Sequence, residues 1–419
     1  MQPISVDEWQ CRRLGVLPHS GAEKIAEAQL ALLRNVVARA GACSPFYGKR
    51  LAGIDPASLR SPADVARLPF TTGEDVRAAG VDLCVLPQSR IRRIVTQRSS
   101  GSTGNPKRIA ASEADIENTL DFFDHGMRTI SRAGDRVLIF LPCAGTDSIG
   151  RLLSESLVRY GAGGEAVGVV TDYEAAAERL RTCRPHVVCG LPVQLLRLAQ
   201  LVPELRPDMV LFCSDYAPPS LTERVRRLWH CDGCVQYGMT ETGFGVAVEC
   251  RAHGGLHILH ANVLLEVVEP QSGETLPAGE MGEVVITTLR REAMPLIRYR
   301  TGDLGVLGTA PCSCGGCLPR LVRMGGRVPG PLARACGLTA GIVDDTLFAL
   351  PGLWDASAAL VQSQDGVRLQ LSLLADSPSV AEAAAKSFDI PAEVHMFNES
   401  GWSSLDQNRK HVLKEVYES

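Results

Sequence analysis

Residues 166–192 read AVGVVTDYEAAAERLRTCRPHVVCGLP. Two short apolar runs, AVGVV (166–170) and HVVCGLP (186–192), flank a helical stretch, Tyr173–Arg181. Runs of this length suit buried strands, and strands separated by helices form parallel pairs. The same alternation continues outward through IRRIV (91–95), RVLIFLP (136–142) and MVLFCS (209–214), with helical stretches at Glu113–Arg132 and Pro219–Trp229. It predicts an α/β part with a mostly parallel sheet covered by helices on both faces. Upstream, residues 22–43 place apolar side chains three and four apart, which predicts an amphipathic helix ending near Gly41. Downstream the period changes. LHILHANVLLEVVEP (256–270) and GEVVITTLRR (282–291), joined by the turn-rich QSGETLPAGEMGE (271–283), predict an antiparallel β-subdomain over about 244–327. VPGPLA (328–333) breaks any regular element and marks a boundary. Beyond it, the strand-like GVRLQLSLLAD (366–376) and helix-like VAEAAAKSF (380–388) predict a small α+β domain over 329–419, set against a large N-terminal domain over 1–328.

The totals exclude several classes of protein. In 419 residues there are 43 Lys and Arg against 47 Asp and Glu, a net charge of −4, so no basic surface for nucleic acid is implied. Apolar residues make up 45%, enough for large cores, and the length fits about two or three domains. The longest uncharged stretches, such as Pro185–Leu196, fall short of the roughly 18 apolar residues a membrane span needs. The opening MQPISVDEWQCRR carries acids where a secretory signal has a basic segment and an apolar run, which points to a cytoplasmic protein. In a reducing compartment 14 cysteines suggest metal binding or core filling before disulfides.

Three segments carry chemistry. RIVTQRSSGSTGNPKRIAAS (93–112) runs from a β-branched stretch into Ser99, Ser100, Gly101, Ser102, Thr103 and Gly104, and closes on Lys107. Hydroxyls and successive N–H groups in a glycine-rich turn make a concave anion site, and the lysine adds a cation. The spacing Gly101 to Lys107 is not that of a Walker-type loop. VQYGMTETGFG (235–245) sets an aromatic and a bare backbone, Tyr237 and Gly238, beside an acid, Glu241, able to hold Mg²⁺. MPLIRYRTGDLGVL (294–307) puts Asp303 just after a strand, where a carboxylate can accept two hydrogen bonds from a ribose diol.

In this order the segments resemble the adenylate-forming superfamily of acyl-CoA synthetases, most closely its phenylacetate–CoA ligase-like branch. The resemblance runs over nearly the whole chain and includes SPFYGKRL, LPFTT and RMGGR (323–327). It implies that Ser99–Gly104 and Lys107 hold the ATP phosphates and that Glu241 holds Mg²⁺. Gln236, Tyr237, Gly238, Met239 and Thr240 would lie along the nucleotide, Ser214, Asp215 and Tyr216 on its adenine side, and Asp303 and Arg323 at the ribose. It implies a catalytic Lys410 from the C-terminal domain, with Lys414 as competitor. The implied substrates are ATP and a small carboxylic acid, aryl or arylacetic, with CoA as acyl acceptor; no nucleic acid or membrane partner is implied, and a homodimer is left open. Cys143, Ser148 and Cys213 would border the acyl pocket.

The sequence departs from that family at the hinge, where Gly326-Arg327 is followed by Val328-Pro329-Gly330 in place of an acidic residue, and Arg409 replaces the glycine before the terminal lysine. The departure keeps a second reading in view, adenylation with an amine, carrier protein or cofactor hydroxyl as acceptor. A nucleotide-binding protein without turnover is a third.

VECRAHGGLHILH (248–260) and PCSCGGC (311–317) bring soft ligands to both sides of the β-subdomain. Four such ligands in a tetrahedral cage suit structural Zn²⁺. The resemblance favours Cys250, His257, Cys312 and Cys314, with His253 and Cys317 as alternates. Cysteines in apolar runs, such as Cys189, read as small buried hydrophobes.

Overall fold

The computed structural model describes residues 5–18, 20, 22–97, 106–398, 402 and 413–418. Two compact units interleave along the chain. The first comprises Met1–Asp135, Pro142–Gly164 and Cys234–Arg323, the second Arg136–Leu141, Glu165–Gly233 and Met324–Ser419.

In the first unit the helix Ala22–Cys43 follows the predicted period. Leu33, Val36, Val37 and Ala40 fall on one stripe and join a core with Tyr47, Val76, Ile109, Ile297 and Tyr299. Its sheet runs in the order Val263–Val268, Met281–Thr288, Tyr299–Gly308, Arg320–Arg327, Leu256–Ile258, Ala247–Glu249, Asp232–Tyr237. The registered pairs in it are antiparallel, as the β-subdomain pattern predicts. IRRIV behaves differently from the prediction. Arg93–Gln97 leaves the parallel sheet and pairs antiparallel with Lys107–Ala111 as a separate ribbon, Gln97 opposite Lys107. The connection over 98–106 is shorter than the dozen or so residues a parallel return requires, so the two strands close as a hairpin. The helix predicted to reach Arg132 ends at Arg128.

In the second unit Arg136–Phe140, Val187–Gly190 and Met209–Phe212 run parallel. The last two are buried at every position, which explains why their sequence shows no alternation. AVGVV supplies only the end of a strand, Gly163–Ala166; Gly168 takes φ 92° and turns the chain. The helix that follows, Tyr173–Cys183, starts where Asp172 accepts the Ala175 N–H at 3.0 Å. The helix Pro219–Trp229 matches the predicted bounds, and its buried Trp229 donates Nε1–H to the Val202 carbonyl at 3.0 Å. C-terminal to these, a four-stranded sheet has the order Ala392–Phe397, Gly366–Ala375, Leu353–Ser363, Lys414–Tyr417. Its central hairpin is antiparallel and both flanking strands join it parallel. The chain is thus α/β with an antiparallel β part, as the sequence predicts. Among the described residues no helix is long and apolar enough to cross a membrane.

Candidate functional site

The strand Asp232–Tyr237 ends in a tight turn that only glycine permits. A Cβ on Gly238 would collide with the Phe244 carbonyl, to which Gln236 Nε2 donates at 2.7 Å. The chain then makes a 3₁₀ turn over Thr240–Thr242, closed by Gly243 at φ 77°. This turn drives Glu241 inward. Its carboxylate Oε1 accepts from Lys107 Nζ at 2.6 Å and from Tyr299 Oη at 3.0 Å, and Lys107 Nζ also reaches Tyr299 Oη at 2.8 Å. The Glu241 side chain is 6% exposed and that of Lys107 20%. Burial alone would raise the Glu241 carboxyl, but the charge and hydrogen bond of Lys107 outweigh it and hold the group below its ordinary value. It is a buried carboxylate kept ionised, with a cation at its edge.

A second pair lies in the same unit. Tyr237 Oη donates to Asp303 Oδ2 at 2.9 Å. Asp303 sits after Gly302, which takes φ 72° and donates its N–H to Glu283 at 3.0 Å, and the Asp303 N–H is held by Thr301 Oγ1 at 3.0 Å. One carboxylate oxygen is thereby oriented by an aromatic hydroxyl. Arg323 is exposed on the strand Arg320–Arg327. In the second unit Ser214 takes φ 71°, Asp215 Oδ1 accepts the Tyr216 N–H at 2.8 Å, and Tyr216 Oη donates to the Met324 carbonyl at 3.5 Å.

The cysteine segments converge in the first unit. Ligand atoms of Cys250, His257, Cys312 and Cys314 all lie within 4.8 Å of one another. Cys250 and Cys312 sulfurs are 3.8 Å apart, and Cys314 Sγ is 3.5 Å from His257 Nε2. His257 Nδ1 sits 2.7 Å from Asp7 Oδ1, whose other oxygen accepts the Leu318 N–H at 3.0 Å. An imidazole that donates Nδ1–H to a carboxylate presents its Nε2 lone pair to a metal. Glycines shape the knuckle: Gly315 takes φ 91°, and a Cβ on Gly316 would press into Asp7 and His257. With no ion in the group, burial raises the Cys250 thiol and lowers His257, but Asp7 and Cys250 on the imidazole, and the imidazole on the thiol, outweigh it and move the thiol below and the imidazole above their ordinary values. The donor set fits a tetrahedral soft cation. Cys317 is exposed and outside the group, and His253 lies with other partners.

Residues 93–289 match the profile of the AMP-binding enzyme family. A phenylacetate–coenzyme A ligase of Thermus thermophilus is 31% identical over 348 residues, covering 78% of this chain and 76% of its own. The chain belongs to the adenylate-forming superfamily, in its phenylacetate–CoA ligase-like branch. A second phenylacetate–coenzyme A ligase, from Pseudomonas putida, is 28% identical over 70% of this chain and 69% of its own. In fold, the chain is similar to the crystal structure of 2-hydroxyisobutyryl-CoA ligase in complex with 2-HIB-AMP, with TM-score 0.78 and 19% identity over 96% of this chain and 90% of that one.

Within this superfamily member, two sequence segments that read separately meet: Lys107 from the hydroxyl loop and Glu241 from the acidic box. Ser99–Gly104 and Lys410 lie outside the described residues. Cys143 is half-buried, Ser148 donates its hydroxyl to the Gly145 carbonyl at 2.7 Å, and Cys213 is 2% exposed with its thiol pushed up to about 12 by burial. Met239 and Thr240 flank the inward turn. Sequence reasoning missed Tyr299 and Asp7. Tyr299 stands within the quoted MPLIRYRTGDL, beside the ribose candidate, whereas Asp7 carries no local signal and is brought in by the helix Val6–Leu14. If the four-ligand group holds an ion, Asp7→Asn should weaken its affinity by about 10–100-fold, read by competition with a chromophoric chelator, because it would loosen the candidate ligand His257 without removing a ligand.

Proposed function

We propose that this chain adenylates a carboxylic acid with ATP and transfers the acyl group to coenzyme A, and that the acid is aryl or arylacetic. The observation that carries the reading is the buried Glu241 carboxylate held ionised by Lys107 beside the nucleotide box. A carboxylate oxygen of the acid attacks the α-phosphorus of ATP, and the bond to the β-phosphate oxygen breaks to release pyrophosphate. The CoA sulfur then attacks the acyl carbon, and the carbon–oxygen bond to AMP breaks. When bound, Mg²⁺ neutralises phosphate charge. In this reading Glu241 binds that ion, Lys107 and the loop Ser99–Gly104 bind phosphate, and Asp303, oriented by Tyr237, binds the ribose with Arg323. Ser214, Asp215 and Tyr216 take the adenine side. Lys410, from the C-terminal domain predicted over 329–419, contacts the reacting carboxylate as a point charge. Cys143, Ser148 and Cys213 border the acid, and Zn²⁺ closes the four-ligand group as a structural ion.

One observation favours the version with another acceptor. Where the resemblance implies an acidic hinge residue this chain has Val328-Pro329-Gly330, and the carboxylate of Glu415 packs on Gly330 and accepts the Ala333 N–H at 2.8 Å. ATP–pyrophosphate exchange measured against a broad acid panel tests the first step: at least one aryl or arylacetic acid should support it, and no exchange with any acid rejects the assignment. Adding CoA to the preformed adenylate then separates the acceptors, since failure to form a thioester selects the amine, carrier or hydroxyl version. Asp303→Asn should raise KM for ATP by about tenfold to a hundredfold with a smaller change in kcat, as expected for loss of a charged hydrogen-bond acceptor used equally before and during reaction.

A further inference from the structure

A second group of ligands stands beside the four-ligand cluster. The strands Asp232–Tyr237 and Ala247–Glu249 pair antiparallel, Gln236 opposite Val248, so Cys234 and Glu249 lie on neighbouring strands. Beyond Glu249 the chain turns back, the His253 N–H donating to the Cys250 carbonyl at 3.0 Å with His253 at φ 51°. Cys234 Sγ, a Glu249 carboxylate oxygen and a His253 ring nitrogen lie within 4.8 Å of one another. We propose that Cys234, Glu249 and His253 form a separate three-ligand site for a divalent cation of the zinc class, its fourth position open to water.

Three features carry this. Glu249 Oε1 is 3.4 Å from His253 Nδ1, close to the separation of about 3.3 Å that two ligand atoms take around a tetrahedral ion at bonds of about 2.0–2.1 Å. The other carboxylate oxygen, Oε2, accepts the Val235 N–H at 3.0 Å, which orients the carboxylate as partners behind metal ligands do. Cys234 is 0% exposed, whereas the side chains of Glu249 and His253 are 17% and 28% exposed. The sulfur therefore forms the floor of the site and the imidazole its mouth, a path by which an ion can enter. A thiolate and a carboxylate together cancel the charge of a divalent cation, and a thiolate with an imidazole selects a borderline ion over Mg²⁺ or Ca²⁺. The site is distinct from its neighbour. Glu249 and Cys250 are consecutive, but the strand ends at Glu249 and Cys250 opens the following turn, and the two ligand groups share no residue.

The test uses the full chain, stripped of metal under reducing conditions, loaded with Co²⁺ or Zn²⁺ alone, dialysed and analysed for metal. The parent should hold about two ions per chain, one per ligand group. His253→Ala and Glu249→Gln should each hold about one fewer than the parent, with unchanged circular dichroism; Glu249→Gln is isosteric and guards against misfolding. Cobalt bound to His253→Ala should keep the strong charge-transfer absorption of a three-thiolate site, and cobalt bound to Cys312→Ala the weaker absorption of a one-thiolate site. Stoichiometry in His253→Ala and Glu249→Gln equal to the parent's overturns the proposal and leaves Glu249 and His253 as a simple ion pair. Failure of the four-ligand zinc reading is distinguishable, because it appears as unchanged metal content in Cys312→Ala.

Discussion

Glu241→Gln should slow acid-dependent ATP–pyrophosphate exchange by about 10²–10³-fold, the usual cost of removing one preorganised electrostatic group from a reacting site. The substitution keeps the shape of the side chain and its contacts with Lys107 and Tyr299 but deletes the charge that would hold a divalent cation. The fold should survive. Removing one partner of a fully buried ion pair costs about 3–5 kcal/mol, but the Lys107 side chain is 20% exposed and keeps Tyr299 Oη at 2.8 Å, so its charge stays partly solvated and the loss is smaller. Exchange rates measured across a Mg²⁺ titration, beside a melting curve, give both readouts. A variant within about threefold of the parent at all Mg²⁺ concentrations, less than 1 kcal/mol of barrier, would remove Glu241 from the machinery. The pH dependence has a definite sign. Because the folded carboxyl is held below its ordinary value of 4.5, the stability it contributes is complete above that pH and is lost as pH falls through the folded value. The parent should therefore lose stability on acidification below about pH 4.5 more steeply than Glu241→Gln.

Under the proposed zinc reading, Cys312→Ala should abolish metal binding at the four-ligand group and lower the melting midpoint by at least about 5 °C, because a structural ion there would contribute its binding free energy directly to folding. The group joins parts of the first unit that lie far apart in sequence: Cys250 just after one strand, His257 within the next, the 312–317 knuckle, and through Asp7 the helix Val6–Leu14. Loss of one of the three thiolates leaves two thiolates and an imidazole, too few to close a tetrahedral structural site. The control is Cys317→Ala. Cys317 is exposed and outside the ligand group, so metal content and melting should match the parent. Equal behaviour of the two variants would show that the thiols are unrelated to metal.

Much of this was legible before the structure. The alternation around 166–192 identified parallel strands and helices because burial on both faces and helical amphipathicity leave periodic marks in sequence. The acidic box and the Gly-Asp turn stand out in the sequence as short, distinctive spacings, and the structure describes Glu241 and Asp303 within them, whereas the hydroxyl loop Ser99–Gly104 lies outside the described residues. Errors arose where pairing is decided at a distance. IRRIV has the composition of a buried strand, yet the short 98–106 connection folds it into a hairpin; AVGVV has it too, yet Gly168 ends the strand at Ala166.

The sequence by itself determined the class of fold, the superfamily chemistry and the stock of cysteine and histidine ligands, since all of these rest on local pattern. Tertiary structure alone decided which of those groups meet. Lys107 reaches Glu241 across 134 residues and Asp7 reaches His257 across 250, and strand register separates His257 among three cysteines from His253 beside Cys234 and Glu249. Which face a side chain takes depends on the neighbouring strand and its offset, and that information resides in long-range pairing.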